Sequence, residues 1–235
     1  MLATHNVLEA FRESKADMMV FASTSAVFGR ATILPTPEDY APLEPISVYG
    51  ASKLAGEAMV SSYCHAFARQ GIILRFANVL GPKSTHGVVT DFFRRVRYNS
   101  EELPILGDGT QNKSYLYIDD CVEAIQTSVN AAKAPVEVFN VGSEDQISVK
   151  DVATTIIETI GLKTVTFKFT GGSCDGSGWV GDVKNMFLDI RRLKSNGWKP
   201  VHNSRESIEL TVKHLLEREP IRSHKLRALS NIAES

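Results

Sequence analysis

Apolar positions give most of the chain a rhythm of alternating helices and strands. Residues 3 to 13 carry Val7, Leu8 and Phe11 at helical spacing, and Met18 to Ala22 is a short apolar run that predicts a buried strand. Pro35, Pro37, Pro42 and Pro45 then forbid regular structure over residues 30 to 48. A long helical pattern opens at Tyr49 and is expected to reach about Gln70, with Leu54, Ala55, Met59, Ala66 and Phe67 inward and Gly71 ending it. Ile72 to Phe76 is apolar throughout, which suits a strand in a sheet covered on both faces.

The pattern continues in the second half. Val88 to Tyr98 reads as an amphipathic helix with Arg94, Arg95 and Arg97 on its solvated face. Asp119 and Asp120 open a helix through about Ala132, where negative charge suits the helix dipole, and they read as caps and not as a catalytic pair. Val136 to Val141 predicts a strand, Ser148 a helix N-cap, and Thr164 to Phe169 an alternating strand. A last helix spans about Ser204 to Arg218 with Ile208, Val212, Leu215 and Leu216 inward, and beyond Pro220 the tail is polar, basic and loosely held. No internal repeat or low-complexity segment interrupts this order.

Composition narrows the class of partner. The 235 residues are 43% hydrophobic and 23% charged, an ordinary globular balance, and 26 basic against 27 acidic residues give a net charge of −1. Nothing in that balance suggests a nucleic-acid or membrane footprint, so a small molecule or a protein is the expected partner. No apolar run is long enough to span a membrane and the first residues lack a secretion-signal order, which leaves a cytoplasmic location as the expectation. Cys64, Cys121 and Cys174 match no disulfide framework or zinc spacing, and no His-x-x-x-His pair occurs, so no metal site is expected.

The candidate chemistry lies in Phe21-Ala-Ser-Thr-Ser-Ala-Val-Phe-Gly29 and Tyr49-Gly-Ala-Ser-Lys53. Tyr49 and Lys53 fall on one face of a helix, so the ammonium can sit near the phenol and favour its ionised form, as proton transfer near neutral pH requires. Thr24, at the end of the preceding strand, can share the proton. A Tyr-x-x-x-Lys pair by itself also fits an ordinary solvated helix face. The hydroxyl-rich strand end ahead of it is what makes the pair distinctive.

At these residues the chain resembles the extended short-chain dehydrogenase/reductase family, the NAD-dependent sugar-nucleotide epimerases and dehydratases, and within it most closely the UDP-glucose 4-epimerases. In that family a catalytic Ser or Thr precedes the signature Gly by five residues, which here selects Thr24 before Gly29. Arg75-Phe-Ala-Asn78-Val-Leu-Gly81-Pro82 is similar to the Arg-x-x-Asn-Val-Tyr-Gly-Pro element. Gly107-Asp-Gly109-Thr-Gln111-Asn-Lys113-Ser-Tyr115 is similar to a nucleotide-site motif, with Lys113 where the family has an Arg. Trp179-Val-Gly181-Asp182 is similar to an Arg-x-Gly-Asp element, with Trp179 in the Arg position. A Lys supplies charge without a two-pronged hydrogen bond. Asn78 either serves the turn before Gly81-Pro82 or contacts the substrate, as it does in the family.

The resemblance implies an α/β fold: a truncated, doubly wound, Rossmann-like parallel sheet with a second, smaller α/β substrate lobe. Residues 1–82 are the expected remnant of the NAD-binding domain, residues 83–220 are mainly the substrate lobe with segments returning to the sheet, and residues 221–235 form a loose tail. The Gly-rich turn that opens such proteins is expected to be absent with roughly three βαβ units, leaving the strand of Val20 at a raw edge. The implied roles are catalytic for Thr24, Tyr49 and Lys53, cofactor-binding for Ser23, Tyr49 and Lys53, and substrate-binding for Ser25, Asn78, Gln111, Lys113, Tyr115, Trp179 and Asp182. The implied cofactor is NAD, the implied substrate a UDP-sugar, and the implied assembly a homodimer.

Dehydratases of the family carry Asp-Glu after the catalytic hydroxyl, and a decarboxylase branch carries a Glu. Ser25 and Ala26 stand there, which favours transient oxidation and re-reduction at sugar C4. Without the Gly-rich turn, NAD binding and activity of this chain alone are expected to be weak. The alternatives are a catalytically silent nucleotide-binding or assembly module, and another NAD-dependent sugar-nucleotide reductase or dehydratase.

Overall fold

The computed structural model describes residues 1–219 of the chain, so the expected loose tail, residues 221–235, and the last residue of the expected substrate lobe lie outside the described residues. Helix α1 (Leu2–Glu13) leads to β1 (Met18–Thr24), one turn of 3-10 helix (Ser25–Phe28), α2 (Val48–Ala66), β2 (Gln70–Phe76) and β3 (Asn78–Leu80). Next come α3 (Val88–Tyr98), β4 (Glu102–Ile105), β5 (Asn112–Lys113), β6 (Tyr115–Tyr117), α4 (Ile118–Ala131) and β7 (Val136–Val141). The chain continues through β8 (Ile147–Ser148), α5 (Val149–Ile160), β9 (Thr166–Phe169), β10 (Asn185–Met186), α6 (Arg191–Lys194) and α7 (Ser204–Arg218).

The three most apolar strands pair in parallel in the order β1-β2-β7. Alternation along β2 decides what each face packs against. Ile73 joins Leu8 and Phe11 of α1 and Val60 and Cys64 of α2 on one face. Ile72 and Leu74 join Phe139, Cys121, Leu193 and Trp198 on the other. Burying branched side chains of this kind stabilises by about 1.5–3 kcal/mol each, so both faces are strongly specified. Strand β1 ends the sheet, and Val20 at its centre is partly exposed.

A second core lies beside this sheet. Phe93 and Val96 of α3, Ile156 of α5 and Val212 and Leu215 of α7 pack together over β4 and β6. Strand β4 pairs in parallel with β9, and a small mixed sheet has the order β10-β5-β8. The architecture is α/β, a parallel sheet with helices on both faces beside a smaller α/β lobe.

Three local expectations are corrected. Helix α2 stops at Ala66, short of Gln70, because Ala68 takes a left-handed turn (φ 51°) and Gln70 already begins β2. Gly71 is therefore a strand residue, and its lack of a side chain matters because an added Cβ would come 2.7 Å from Cys64 Sγ. The inward face of α2 is also displaced: Ala66 and Phe67 are exposed, while Gly56, Glu57, Val60 and Cys64 are buried. Gly56 lets α2 approach the Phe21 ring, 2.5 Å from where its Cβ would be, and Glu57 is neutralised by a buried partner.

The third correction concerns Asp120, which does not cap α4. Its carboxylate is buried and accepts from the backbone N–H groups of Val201 and His202 and pairs with His202 Nδ1 at 3.0 Å, tying the approach to α7 onto α4. Ser148 does cap α5, its Oγ accepting from Asp151 N at 3.0 Å. A capping box of Asn203 and Glu206 starts α7.

Candidate functional site

Parallel pairing sends β1, β2 and β7 out of the sheet at the same end, where ligands of such folds bind. At the end of β1, Thr24 turns the chain into the 3-10 helix, and its Oγ1 accepts from Ala26 N at 3.2 Å. That bond fixes the hydroxyl and leaves its O–H to donate outward. Gly29 closes the turn at φ 62°, and a Cβ there would overlap the Glu44 carbonyl, so no side chain fits. Ser47 caps α2, its Oγ accepting from Gly50 N at 3.0 Å, which places Tyr49 in the first turn, 56% exposed.

Lys53 lies one turn further along α2. Its Nζ donates to the Ala22 carbonyl at 2.8 Å and stands 5.9 Å from the Tyr49 ring and 5.3 Å from the Phe21 ring. That bond uses one of the three N–H donors of the ammonium. Ser23 is placed differently. It is buried, and its Oγ donates to Glu57, which pairs with Arg75 at 2.7 Å. The Arg75 guanidinium also donates to the Glu38 carbonyl and lies 4.8 Å from the Phe28 ring. Ser23 thus belongs to an interior network that fastens α2 to β1 and β2.

Two adjoining pockets open here. One, of about 320 Å³, is lined by Thr24, Ser25, Ser47 and Tyr49 among others. The second, of about 240 Å³, is lined by Val88, Phe92 and Arg95 of α3, by Gln111 and Tyr115, and by Leu106 and Val149. Asn78, Lys113, Trp179 and Asp182 line both and form the wall between them.

The wall and the second pocket carry most of the polar groups. Asn78 Nδ2 donates to the Ser114 carbonyl at 3.1 Å, and Lys113 Nζ meets Asp182 at 2.5 Å and lies 5.5 Å from the Trp179 ring. Gln111 Nε2 donates to the Leu106 carbonyl at 2.8 Å, while its buried Oε1 has no protein donor. A buried acceptor left unmet costs about 1–3 kcal/mol, and Gln111 lines the second pocket with that acceptor unmet. Burial, with the nearby Asp182 charge, pushes the Tyr115 phenol well above its ordinary value, so it stays protonated.

The structure thus brings Thr24, Ser25 and Tyr49 to one pocket and Gln111 and Tyr115 to the other, with the shared residues between, while Lys53 lines neither. Sequence spacing does not single out Arg95, Val88 and Phe92 as pocket residues. The apolar face of α3 was legible, but its use as a pocket wall depends on how the helix packs against α5, α7 and β4, which periodicity does not encode. A Gly-x-Gly-x-x-Gly spacing also occurs at Gly176, Gly178 and Gly181. It opens no helix, so it offers no helix N-terminus to a pyrophosphate. Among the described residues no cluster of His, Cys, Asp and Glu is arranged to hold a metal, and no helix is long and apolar enough to cross a membrane.

Residues 1–142 match the family model described as the NAD dependent epimerase/dehydratase family. A Methanocaldococcus jannaschii protein, provisionally named as a UDP-glucose 4-epimerase, is 33% identical over 216 residues, covering 90% of this chain and 67% of its own length. The human dTDP-D-glucose 4,6-dehydratase is 28% identical over 216 residues, and this chain covers 59% of it. Among solved structures, a UDP-galactose 4-epimerase superposes with a TM-score of 0.83 at 39% identity, over 93% of this chain and 69% of that one.

Proposed function

Since the chain belongs to the NAD dependent epimerase/dehydratase family, we propose that it is built to hold a UDP-hexose of the glucose and galactose type and to serve its interconversion at C4. The observation that carries this reading is the pair of adjoining pockets sharing Asn78, Lys113, Trp179 and Asp182. One offers hydroxyl and phenol groups for a sugar, the shared wall offers a cation for a diphosphate, and the other offers apolar walls and a waiting acceptor for a nucleobase.

Each part then has a role. The base lies among Phe92, Val88 and Leu106 with a donor turned to Gln111 Oε1. The diphosphate meets Lys113, and Asn78 contacts the hexose end. Tyr49 Oη takes the proton of the sugar C4 hydroxyl, with the Thr24 hydroxyl relaying between them. The Lys53 ammonium, 5.9 Å from the Tyr49 ring, offsets the negative charge on the phenol oxygen. NAD, the cofactor of the family, would supply hydride-transfer chemistry at the sugar C4. The open donors of Lys53 and the exposed Tyr49 fit its ribose.

Dehydration is disfavoured by the same lining. Ser25 and Ala26 follow Thr24, and Asp182 is the one carboxylate that lines this pocket, already paired with Lys113. Eliminating water needs a free acid and base at the sugar. A homodimer through α1 and α2 completes the proposal.

Incubation of the chain with NAD and UDP-galactose, with UDP-glucose followed by chromatography, tests the chemistry. Conversion that is slow in the native chain and lost in Tyr49→Phe supports the reading. Accumulation of a dehydrated 4-keto sugar contradicts it.

A further inference from the structure

The cation in the shared wall is already occupied by a group of the protein's own. Lys113 Nζ donates to Asp182 Oδ1 at 2.5 Å, and the Asp182 side chain is 3% exposed. Its second oxygen accepts from Gly178 N at 3.2 Å, and its own backbone N–H returns to the Trp179 carbonyl at 3.1 Å. One carboxylate thus closes the turn from Gly178 to Asp182 and pins it to β5. The Trp179 ring lies 5.5 Å from the same ammonium, within cation–π range. On its other side the turn leans on the approach to α2, since a Cβ on Gly181 would come 2.9 Å from the Ile46 carbonyl.

We propose that Asp182 is a built-in surrogate anion and that the Gly178–Asp182 turn is a latch, opened when the diphosphate of a nucleotide-linked sugar takes the carboxylate's place on Lys113. This rests on the nucleotide-sugar reading above. A diphosphate carries more negative charge and more acceptor oxygens than one carboxylate, so it wins the ammonium once bound. The freed Asp182 then lies beside like charge and is repelled. Its release unfastens Gly178 and carries Trp179 away from the wall between the pockets. Joining the two pockets therefore depends on the diphosphate and not on the base.

The chain supplies its own reporter, because of its two tryptophans Trp198 is 3% exposed and Trp179 is 57% exposed. Uridine, UDP and inorganic pyrophosphate are titrated by calorimetry and by tryptophan emission. UDP and pyrophosphate are expected to shift the emission, uridine to leave it unchanged, and Trp179→Phe to abolish the shift. Asp182→Asn is expected to bind pyrophosphate roughly tenfold more tightly, with its unliganded emission already at the liganded value. Lys113→Gln, which releases the same latch from the other side, should show that emission with no ligand and serves if Asp182→Asn does not fold. UDP binding with unmoved emission, or a folded Asp182→Asn that binds pyrophosphate no better than the native chain, overturns the latch alone. Failure of the native chain to bind either UDP or pyrophosphate overturns the nucleotide-sugar reading itself.

Discussion

Glu57 on α2 and Arg75 on β2 form an ion pair at 2.7 Å with both side chains 6% exposed. Ser23 of β1 donates to the same carboxylate, so one buried group joins the strand that ends in Thr24 to the helix that begins with Tyr49 and Lys53. The relative placement of the three candidate catalytic residues is thus set by a contact none of them makes.

Breaking that pair on one side leaves a charge buried without a partner. Glu57→Ala is expected to destabilise the chain by about 3–5 kcal/mol, and the double variant Glu57→Leu with Arg75→Met by much less, because no lone charge remains. Urea denaturation of the single and double variants measures both. A double variant as unstable as the single would contradict the account.

Gly71 makes a sharper packing test. A methyl group there is expected to cost about 1–3 kcal/mol by crowding Cys64 Sγ, and Cys64→Ala in the same chain should recover part of the loss. Strictly additive effects in thermal or urea denaturation would show that the two residues do not compete for the space.

Glu38 gives a pH signature. It is half-buried, its Oε1 accepts from Asn140 N at 3.0 Å, and burial holds its carboxyl above the ordinary value of 4.5, an effect that outweighs this bond and the Arg192 charge. A raised carboxyl binds its proton more tightly in the folded state, so its contribution is fully present below 4.5 and is lost as pH rises through the folded value. Glu38→Gln should therefore gain on the native chain as pH is raised from about 4 to 7. A Glu38→Gln variant that instead loses ground to the native chain over that range would reverse the sign.

Assembly follows from α1 and α2. They pack together through Leu8, Phe11, Val60 and Cys64, yet Leu2, Val7 and Phe67 remain 75%, 54% and 46% exposed. A second copy covering this surface is the proposed dimer. Light scattering at on the order of tens of micromolar should give twice the chain mass, falling to one in Val7→Glu with Phe67→Glu. A monomeric native chain rules the dimer out.

Much of this was legible in the sequence where one local signal sufficed. Apolar runs located β2 and β7, Ser148 announced its helix, helical spacing put Tyr49 and Lys53 on one face, and the resemblance to the family picked out Thr24. What was not legible depended on distant partners. Glu57 reads as a solvated helix residue until Arg75 is seen against it, and Asp120 as a cap until His202 reaches it. Arg95 is the surface charge that its spacing implies, but nothing local says that its turn of α3 also borders a pocket. The inward face of α2 was misread because a glycine and a paired glutamate hold interior positions that periodicity assigns to larger apolar residues.

Lys113 and Gln111 are proposed to mark a nucleotide diphosphate site that adjoins Thr24 and Tyr49. Calorimetric titration of this chain, stripped of bound nucleotide, with UDP tests it most directly. Saturable one-site binding is expected, weakened roughly tenfold or more in Gln111→Leu, where the unmet acceptor is gone. Absence of binding at millimolar UDP, or equal affinity in Gln111→Leu, would contradict it.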